Sequence, residues 1–147
     1  MLKRKLTVYS GGTFDMIHRG HLDLLKWCRL IAGKNGKVVI SLNTDGFVER
    51  FKGKRPVVPL EDRRALLEAF KDLVDVVTEN IGDEDSKISI LKVKPDIIVV
   101  GSDWLKKDYC KQMSFTPEWL EEQNIALCYI PRNLPESTTN IKNRVKE

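Results

Sequence analysis

Short apolar runs alternating with helical segments constrain this chain more than any other feature. Strand-like runs occur at Leu6–Ser10, Lys37–Asn43, Val74–Thr78, Asp96–Val100 and Ile125–Ile130. Between them the apolar period changes from two residues to about 3.6. Leu24, Leu25, Cys28, Ile31 and Ala32 share one face of a helix expected from Ile17 to Ala32, which Gly33 ends. Leu66, Leu67, Phe70 and Leu73 share a face of a second helix expected from Leu60 to Leu73. Shorter helices are expected over Ser86–Val93, from Pro117, and over Ser137–Lys146. Strands that alternate with helices join through right-handed crossovers into a parallel sheet covered on both faces. The expectation is therefore one α/β domain over residues 1–147, with a doubly wound five-stranded parallel sheet in the order 3-2-1-4-5. In such sheets ligands bind beyond the carboxyl ends of the strands, where the strand order reverses. Here that point lies between the ends of the first and fourth strands.

Composition removes several alternatives. The longest uncharged apolar runs, such as Ile97–Val100, fall far short of the roughly 20 residues that a membrane helix needs. Met1-Leu2-Lys3-Arg4-Lys5 leads directly into Leu6-Thr7-Val8-Tyr9 without the apolar stretch of a secretory signal, so a cytoplasmic protein with no membrane partner is expected. Cys28, Cys110 and Cys128 are odd in number and form no CxxC, which suits reduced thiols rather than a disulfide frame or a zinc site. The net charge is +4. Its distribution says more, because Arg50, Lys52, Lys54, Arg55, Arg63 and Arg64 are opposed locally only by Glu61 and Asp62. Such a patch suits the phosphates of a small ligand or a nucleic acid. Nucleic acid is the weaker expectation, because Phe51 is the only aromatic residue interleaved with the charges.

The chemistry should follow the first strand, in Gly11-Gly12-Thr13-Phe14-Asp15-Met16-Ile17-His18-Arg19-Gly20-His21. Glycines let backbone N–H groups approach phosphate oxygens closely. His18 and His21 are three residues apart, so they share a face at the start of the next helix. His21 continues the stripe of Leu25, Cys28 and Ala32 and should point towards the sheet. Two imidazoles there can donate hydrogen bonds to a phosphoryl group as its charge grows. Gly20 leaves room for a phosphate or a nucleoside.

Gly12-Thr13-Phe14-Asp15-Met16-Ile17-His18-Arg19-Gly20-His21 resembles the GTFDxxHxGH signature of the cytidylyltransferase-like nucleotidyltransferases. The resemblance covers essentially the whole chain. Arg63 after Pro59-Leu60-Glu61-Asp62, Gly101-Ser102-Asp103-Trp104, Pro131-Arg132 and Ser137-Thr138-Thr139 recur in the same order. The motifs are most similar to those of the glycerol-3-phosphate cytidylyltransferases. The segment Phe51–Arg63 and the run Ser137–Ile141 look more like the heptose 1-phosphate adenylyltransferases. Two departures stand out: Ser102 replaces a usual aspartate, and Arg132-Asn133-Leu134-Pro135-Glu136 replaces Arg-Thr-x-Gly-Ile.

The resemblance implies a Rossmann-like fold and transfer of a nucleotidyl group to a small phosphate ester, with loss of pyrophosphate. The donor would be CTP, with ATP as the alternative, and the acceptor a compound such as glycerol 3-phosphate. It implies catalytic roles for His18, His21, Arg63, Lys52 and Lys54, with Arg63 facing the triphosphate and Arg64 on the surface. Gly11, Gly12, Thr13, Phe14, Asp103, Trp104, Arg132, Ser137, Thr138 and Thr139 would bind nucleotide, Ser137 and Thr138 at the β- and γ-phosphates. Mg²⁺ would accompany the triphosphate, with Asp15 a weak candidate ligand. A homodimer is the expected assembly.

Overall fold

Successive residues of the central strands face opposite sides of one sheet, and their contacts sort accordingly. Val8, Val38, Ile40 and Val99 belong to one apolar core, and Tyr9, Val39, Ile98 and Val100 to the other. The computed structural model describes residues 4–132 and 137–147. Its strands are β1 (Thr7–Gly12), β2 (Lys37–Leu42), β3 (Val76–Glu79), β4 (Ile97–Gly101) and β5 (Ala126–Ile130). All are parallel, in the order β3-β2-β1-β4-β5, as the alternation predicts. The sheet is Rossmann-like and doubly wound.

Helices α1 (Arg19–Ala32) and α3 (Leu60–Glu68) cover the first core through Leu25, Cys28, Ala32 and Leu67. Helices α4 (Lys87–Val93), α5 (Tyr109–Gln112) and α6 (Pro117–Glu122) cover the second through Ile90, Tyr109 and Leu120. The turn between α1 and β2 accepts only glycine at Gly36, where a Cβ would lie 2.1 Å from the Ala32 carbonyl oxygen. Helix α7 (Thr138–Lys146) closes the described chain and carries an exposed Val145. No helix among the described residues is long and apolar enough to cross a membrane.

Helix α5 was not expected, and two elements nearer the strand ends also differ from expectation. Helix α2 (Asp45–Lys52) occupies a segment to which the sequence pattern assigns no element, so Lys52 ends a helix and, of the two lysines, only Lys54 lies beyond it. Thr44 caps it by accepting from the Phe47 N–H at 3.2 Å, and Gly53 stops it with a φ of +78°. Helix α3 ends at Glu68 rather than at Leu73. The chain then turns, and the Arg29 guanidinium holds it by donating to the Leu73 carbonyl and to Asp75.

Candidate active site

The carboxyl ends of β1, β2 and β4 open into a cleft of about 570 Å³, within the range that holds small-molecule ligands. His18 and His21 line it where β1 passes into α1. His18 is the N-cap, and its Nδ1 accepts from the Gly20 N–H at 3.0 Å. The His21 Nδ1 accepts in return from the His18 N–H at 3.3 Å. Two histidines thus build a reciprocal cap of the kind usually made by Ser and Glu. An imidazole that accepts at Nδ1 carries its proton on Nε2. The rings lie 3.9 Å apart between centroids, and Phe14 packs against His21 at 5.2 Å. Burial, then the neighbouring His18 and Arg132, hold the His21 pKa down to about 3, against a smaller opposite pull from Asp15. His21 is therefore neutral near pH 7, a fixed N–H donor rather than an imidazolium.

The strand-to-helix loop is held by Asp15, which is 5% exposed. Its carboxylate accepts from the Val57 and Val58 N–H groups at 2.8 and 2.9 Å and faces the Lys142 Nζ at 3.6 Å. Its carbonyl accepts from the Thr138 hydroxyl at 2.8 Å. Phe14 and Met16, with φ of +53° and +48°, bend the loop around this anchor. Asp15 accordingly ties the segment after α2 and the start of α7 to the loop between β1 and α1. Each carboxylate oxygen accepts one of these N–H groups, so Asp15 serves as a structural anchor of the loop. No cluster of three metal-ligating side chains exists among the described residues. The residues present therefore do not make a protein cage for Mg²⁺.

Cationic side chains ring the same space. Lys52, Lys54 and Arg132 border the cleft as expected, and Lys107 and Lys142 join them. The Lys52 pKa is drawn down by burial and by Lys142 and Lys107, with Asp15 opposing. These side chains are close enough to feel one another and share one buried carboxylate. Such an arrangement suits a polyanion. The sequence reading passed over Lys107 and Lys142. Lys142 was detectable, because it lies four residues after Thr138 and so shares its helix face. Gly11, Gly12, Thr13, Ser137, Thr138 and Thr139 also border the cleft. The Ser137 Oγ accepts from the Asn140 N–H at 3.0 Å as the α7 N-cap. The Thr138 proton is on Asp15, and the backbone N–H groups of the α7 terminus remain to meet a phosphate.

At the end of β4, Gly101, Asp103 and Trp104 border the cleft. A Cβ at Gly101 would lie 2.6 Å from the Asp103 Oδ1, so a larger residue there would displace the Asp103 side chain. Asp103 faces Arg132 at 3.7 Å. The Ser102 Oγ accepts from the Arg132 N–H at 3.0 Å, so this departure from the family pattern anchors the end of β5. Trp104 packs edge-on against Tyr109 and carries the Lys107 Nζ 5.2 Å above its ring. The other departure, at residues 133–136, lies outside the described residues.

Arg63 is the principal correction. It lies on α3 outside the cleft and is 0% exposed. Its guanidinium donates to the carbonyls of Val58 at 2.9 Å, Thr13 at 2.7 Å and Asn43 at 3.0 Å, and to the Asp45 carboxylate at 2.5 Å. Four of its five N–H donors are spent on loops that shape the cleft, and its complete burial sets it apart from the cleft lining. Arg64 is half-buried rather than a surface residue, reaching the Val77 carbonyl at 3.4 Å and Glu68 at 3.8 Å.

A sheet of this order with a paired-histidine cap at its switch point defines a class of nucleotide-handling α/β proteins. The chain belongs to the cytidylyltransferase-like family, whose model matches residues 9–144, and is by class a nucleotidyltransferase. It is 30% identical over 152 residues to the FAD synthase of Korarchaeum cryptofilum, covering 99% of this chain and 95% of that protein. It is 37% identical over 109 residues to the bifunctional protein HldE of Helicobacter pylori, covering 73% of this chain and 22% of that much longer one. Among solved structures, the lipopolysaccharide core biosynthesis protein of Thermoplasma volcanium shares the fold, with a TM-score of 0.67 at 24% identity over 88% of this chain and 98% of that one.

Proposed function

We propose that the chain transfers the adenylyl group of ATP to the phosphate of FMN, releasing pyrophosphate and FAD. The observation that carries the chemistry is the histidine pair locked with Nε2 protonated on the wall of a cation-lined cleft. A phosphate oxygen of the acceptor attacks the α-phosphorus in line, and the bond from that phosphorus to the bridging oxygen of the β-phosphate breaks. No protein nucleophile is needed, so catalysis rests on positioning and on stabilising charge. His18 and His21 donate to the α- and β-phosphate oxygens. Lys52, Lys54, Lys107, Lys142 and Arg132 balance the triphosphate, and the backbone of Gly11 to Phe14 lies along it. Asp103 and Trp104 receive the nucleoside. Mg²⁺ enters on the nucleotide.

Two observations favour ATP and a flavin. The full-length relative is named FAD synthase. The cleft also has an apolar wall suited to a planar ring system, in which Phe51, 55% exposed, stacks on Phe47 at 5.9 Å and 4°. A second reading, CMP transfer from CTP to glycerol 3-phosphate, is favoured by the Gly101-Ser102-Asp103-Trp104 run and by Arg132. Pyrophosphate release from each of the four nucleoside triphosphates, with FMN, glycerol 3-phosphate and a sugar 1-phosphate in turn, separates the two. The first reading requires ATP with FMN to be the fastest pair, and CTP with glycerol 3-phosphate in that place would replace it. A homodimer fits the same reading, supported by Leu66 and Val76 exposed near the β3 edge. Light scattering on the purified chain tests it.

A further inference from the structure

A chain of side-chain hydrogen bonds crosses the carboxyl ends of three neighbouring strands and stops at the loop after β1. The Ser89 Oγ donates to the Asn80 Oδ1 at 3.1 Å, the Asn80 Nδ2 to the Asn43 Oδ1 at 3.4 Å, and the Asn43 Nδ2 to the Thr13 Oγ1 at 3.3 Å. Ser89 lies in α4, and Asn80, Asn43 and Thr13 directly follow β3, β2 and β1. Backbone bonds keep the strand ends in step: the Asn43 N–H donates to the Gly12 carbonyl at 2.9 Å and the Asn80 N–H to the Leu42 carbonyl at 2.8 Å. The direction of the chain is set by backbone groups, which cannot exchange donor for acceptor. The Ile81 N–H donates to the Ser89 Oγ at 2.9 Å, and the Asp83 carbonyl accepts from the Asn80 Nδ2 at 2.8 Å. The Asn80 nitrogen is thereby fixed, so its oxygen faces Ser89 and its second N–H faces Asn43. The Asn43 oxygen then meets Asn80, and its nitrogen meets Thr13. Asn80 and Ser89 are 6% and 2% exposed, so water does not readily replace these partners.

A threonine hydroxyl has one proton and two lone pairs, and it rotates to suit its neighbours. Left free, it can turn a lone pair towards an anion. Here a lone pair takes the Asn43 N–H, and the Thr13 proton has no protein acceptor among the described residues. Thr13 lines the cleft, and its own carbonyl is pinned by the Arg63 guanidinium at 2.7 Å. The proton is therefore left for whatever fills the cleft. A donor held in place before the ligand arrives needs no reorganisation as charge grows on a phosphoryl oxygen.

We propose that Asn43 and Asn80, with Ser89 setting their direction, are positioning residues that hold the Thr13 hydroxyl as a donor to a phosphoryl oxygen of the bound nucleotide. The inference rests on triphosphate binding in this cleft, whichever acceptor follows. Calorimetry with ATP and with inorganic tripolyphosphate tests it. Thr13→Val removes the hydroxyl and should weaken both ligands about tenfold. Asn43→Asp keeps the shape but puts an acceptor where the Nδ2 stood, so Thr13 turns its proton away from the cleft. Asn80→Ala frees the Asn43 amide to flip and adds no charge. In the parent these two changes should weaken both ligands at least tenfold and about 3-fold. Beside Thr13→Val, the Asn80→Ala loss should disappear, and the Asn43→Asp loss should shrink at least 3-fold, to what its charge alone imposes. A merely structural or electrostatic role gives the same loss in both backgrounds, and that result overturns the proposal. So does parent-like binding in Thr13→Val or in either asparagine variant, or a parent that binds neither ligand. Melting curves confirm that each variant compared is folded; should Asn80→Ala not fold, Asn43→Asp decides alone. Failure of the adenylyl-transfer reading looks different: ATP binds with these losses but yields no pyrophosphate with FMN.

Discussion

Replacing Arg63 separates its position in the fold from the triphosphate role that its motif suggests. Arg63→Ala removes four hydrogen bonds and leaves the carbonyls of Thr13, Asn43 and Val58 and the Asp45 carboxylate without their donor. Breaking one partner of a buried ion pair costs about 3–5 kcal/mol. Asp45 is partly exposed and still accepts from the Leu60 N–H at 3.3 Å, which places its own share at the low end. The three carbonyls, each bonded to a charged donor, raise the total again. About 4 kcal/mol is therefore expected, a large part of the roughly 5–15 kcal/mol that holds a domain of this size. At about 3 °C per kcal/mol for a chain of this length, the melting midpoint should fall by roughly 10–15 °C. Arg63→Lys keeps the charge but not the planar fork, and should recover only a minor part. The assay is urea and thermal unfolding of the parent, Arg63→Ala, Arg63→Lys and Arg64→Ala, with ATP affinity measured on each folded variant. The structural account fails if Arg63→Ala melts within about 2 °C of the parent yet binds ATP tenfold more weakly.

The remaining expectations are narrower. His18→Ala and His21→Ala should keep the fold and lower kcat about 10²–10³-fold, read under saturating nucleotide. The folded-state pKa of His21 lies near 3, below the unfolded value of about 6.5. The unfolded chain therefore binds more protons between those values, and the contribution of this group to stability is complete above about pH 6.5 and lost as pH falls towards 3. His21→Gln should flatten that part of a denaturation-against-pH curve, and an unchanged slope would contradict the burial argument. Lys142→Ala should weaken ATP about tenfold and AMP much less, and calorimetry showing equal losses would move the triphosphate away from α7. Gly101→Ala pushes a Cβ to 2.6 Å from Asp103 and should weaken nucleoside binding while shifting the melting midpoint only slightly.

The architecture was legible because it depends on local pattern. Val38-Val39-Ile40 and Ile97 to Val100 feed both faces of the sheet, and such runs mark interior parallel strands. The paired histidines were legible because a three-residue spacing fixes a helix face wherever the helix starts. Arg63 was not, since its burial depends on carbonyls contributed by residues 5, 20 and 50 positions away. A motif shows that an arginine is required but not whether it serves a ligand or the fold. The anchoring role of Asp15 was hidden for the same reason, because the Val57 and Val58 N–H groups it holds lie more than 40 residues away. Helix α2 escaped notice because Asp45-Gly46 reads as a turn and the helix has only eight residues.

The most direct test follows the α-phosphorus. The protein is incubated with ATP radiolabelled at the α-phosphate and with FMN, and the products are separated. The account predicts label in a flavin–adenine dinucleotide, one pyrophosphate for each labelled product, and a loss of at least 10²-fold in His18→Ala. Label that stays in ATP, or appears only in AMP or ADP, with the parent and the His18→Ala variant behaving alike, would contradict it.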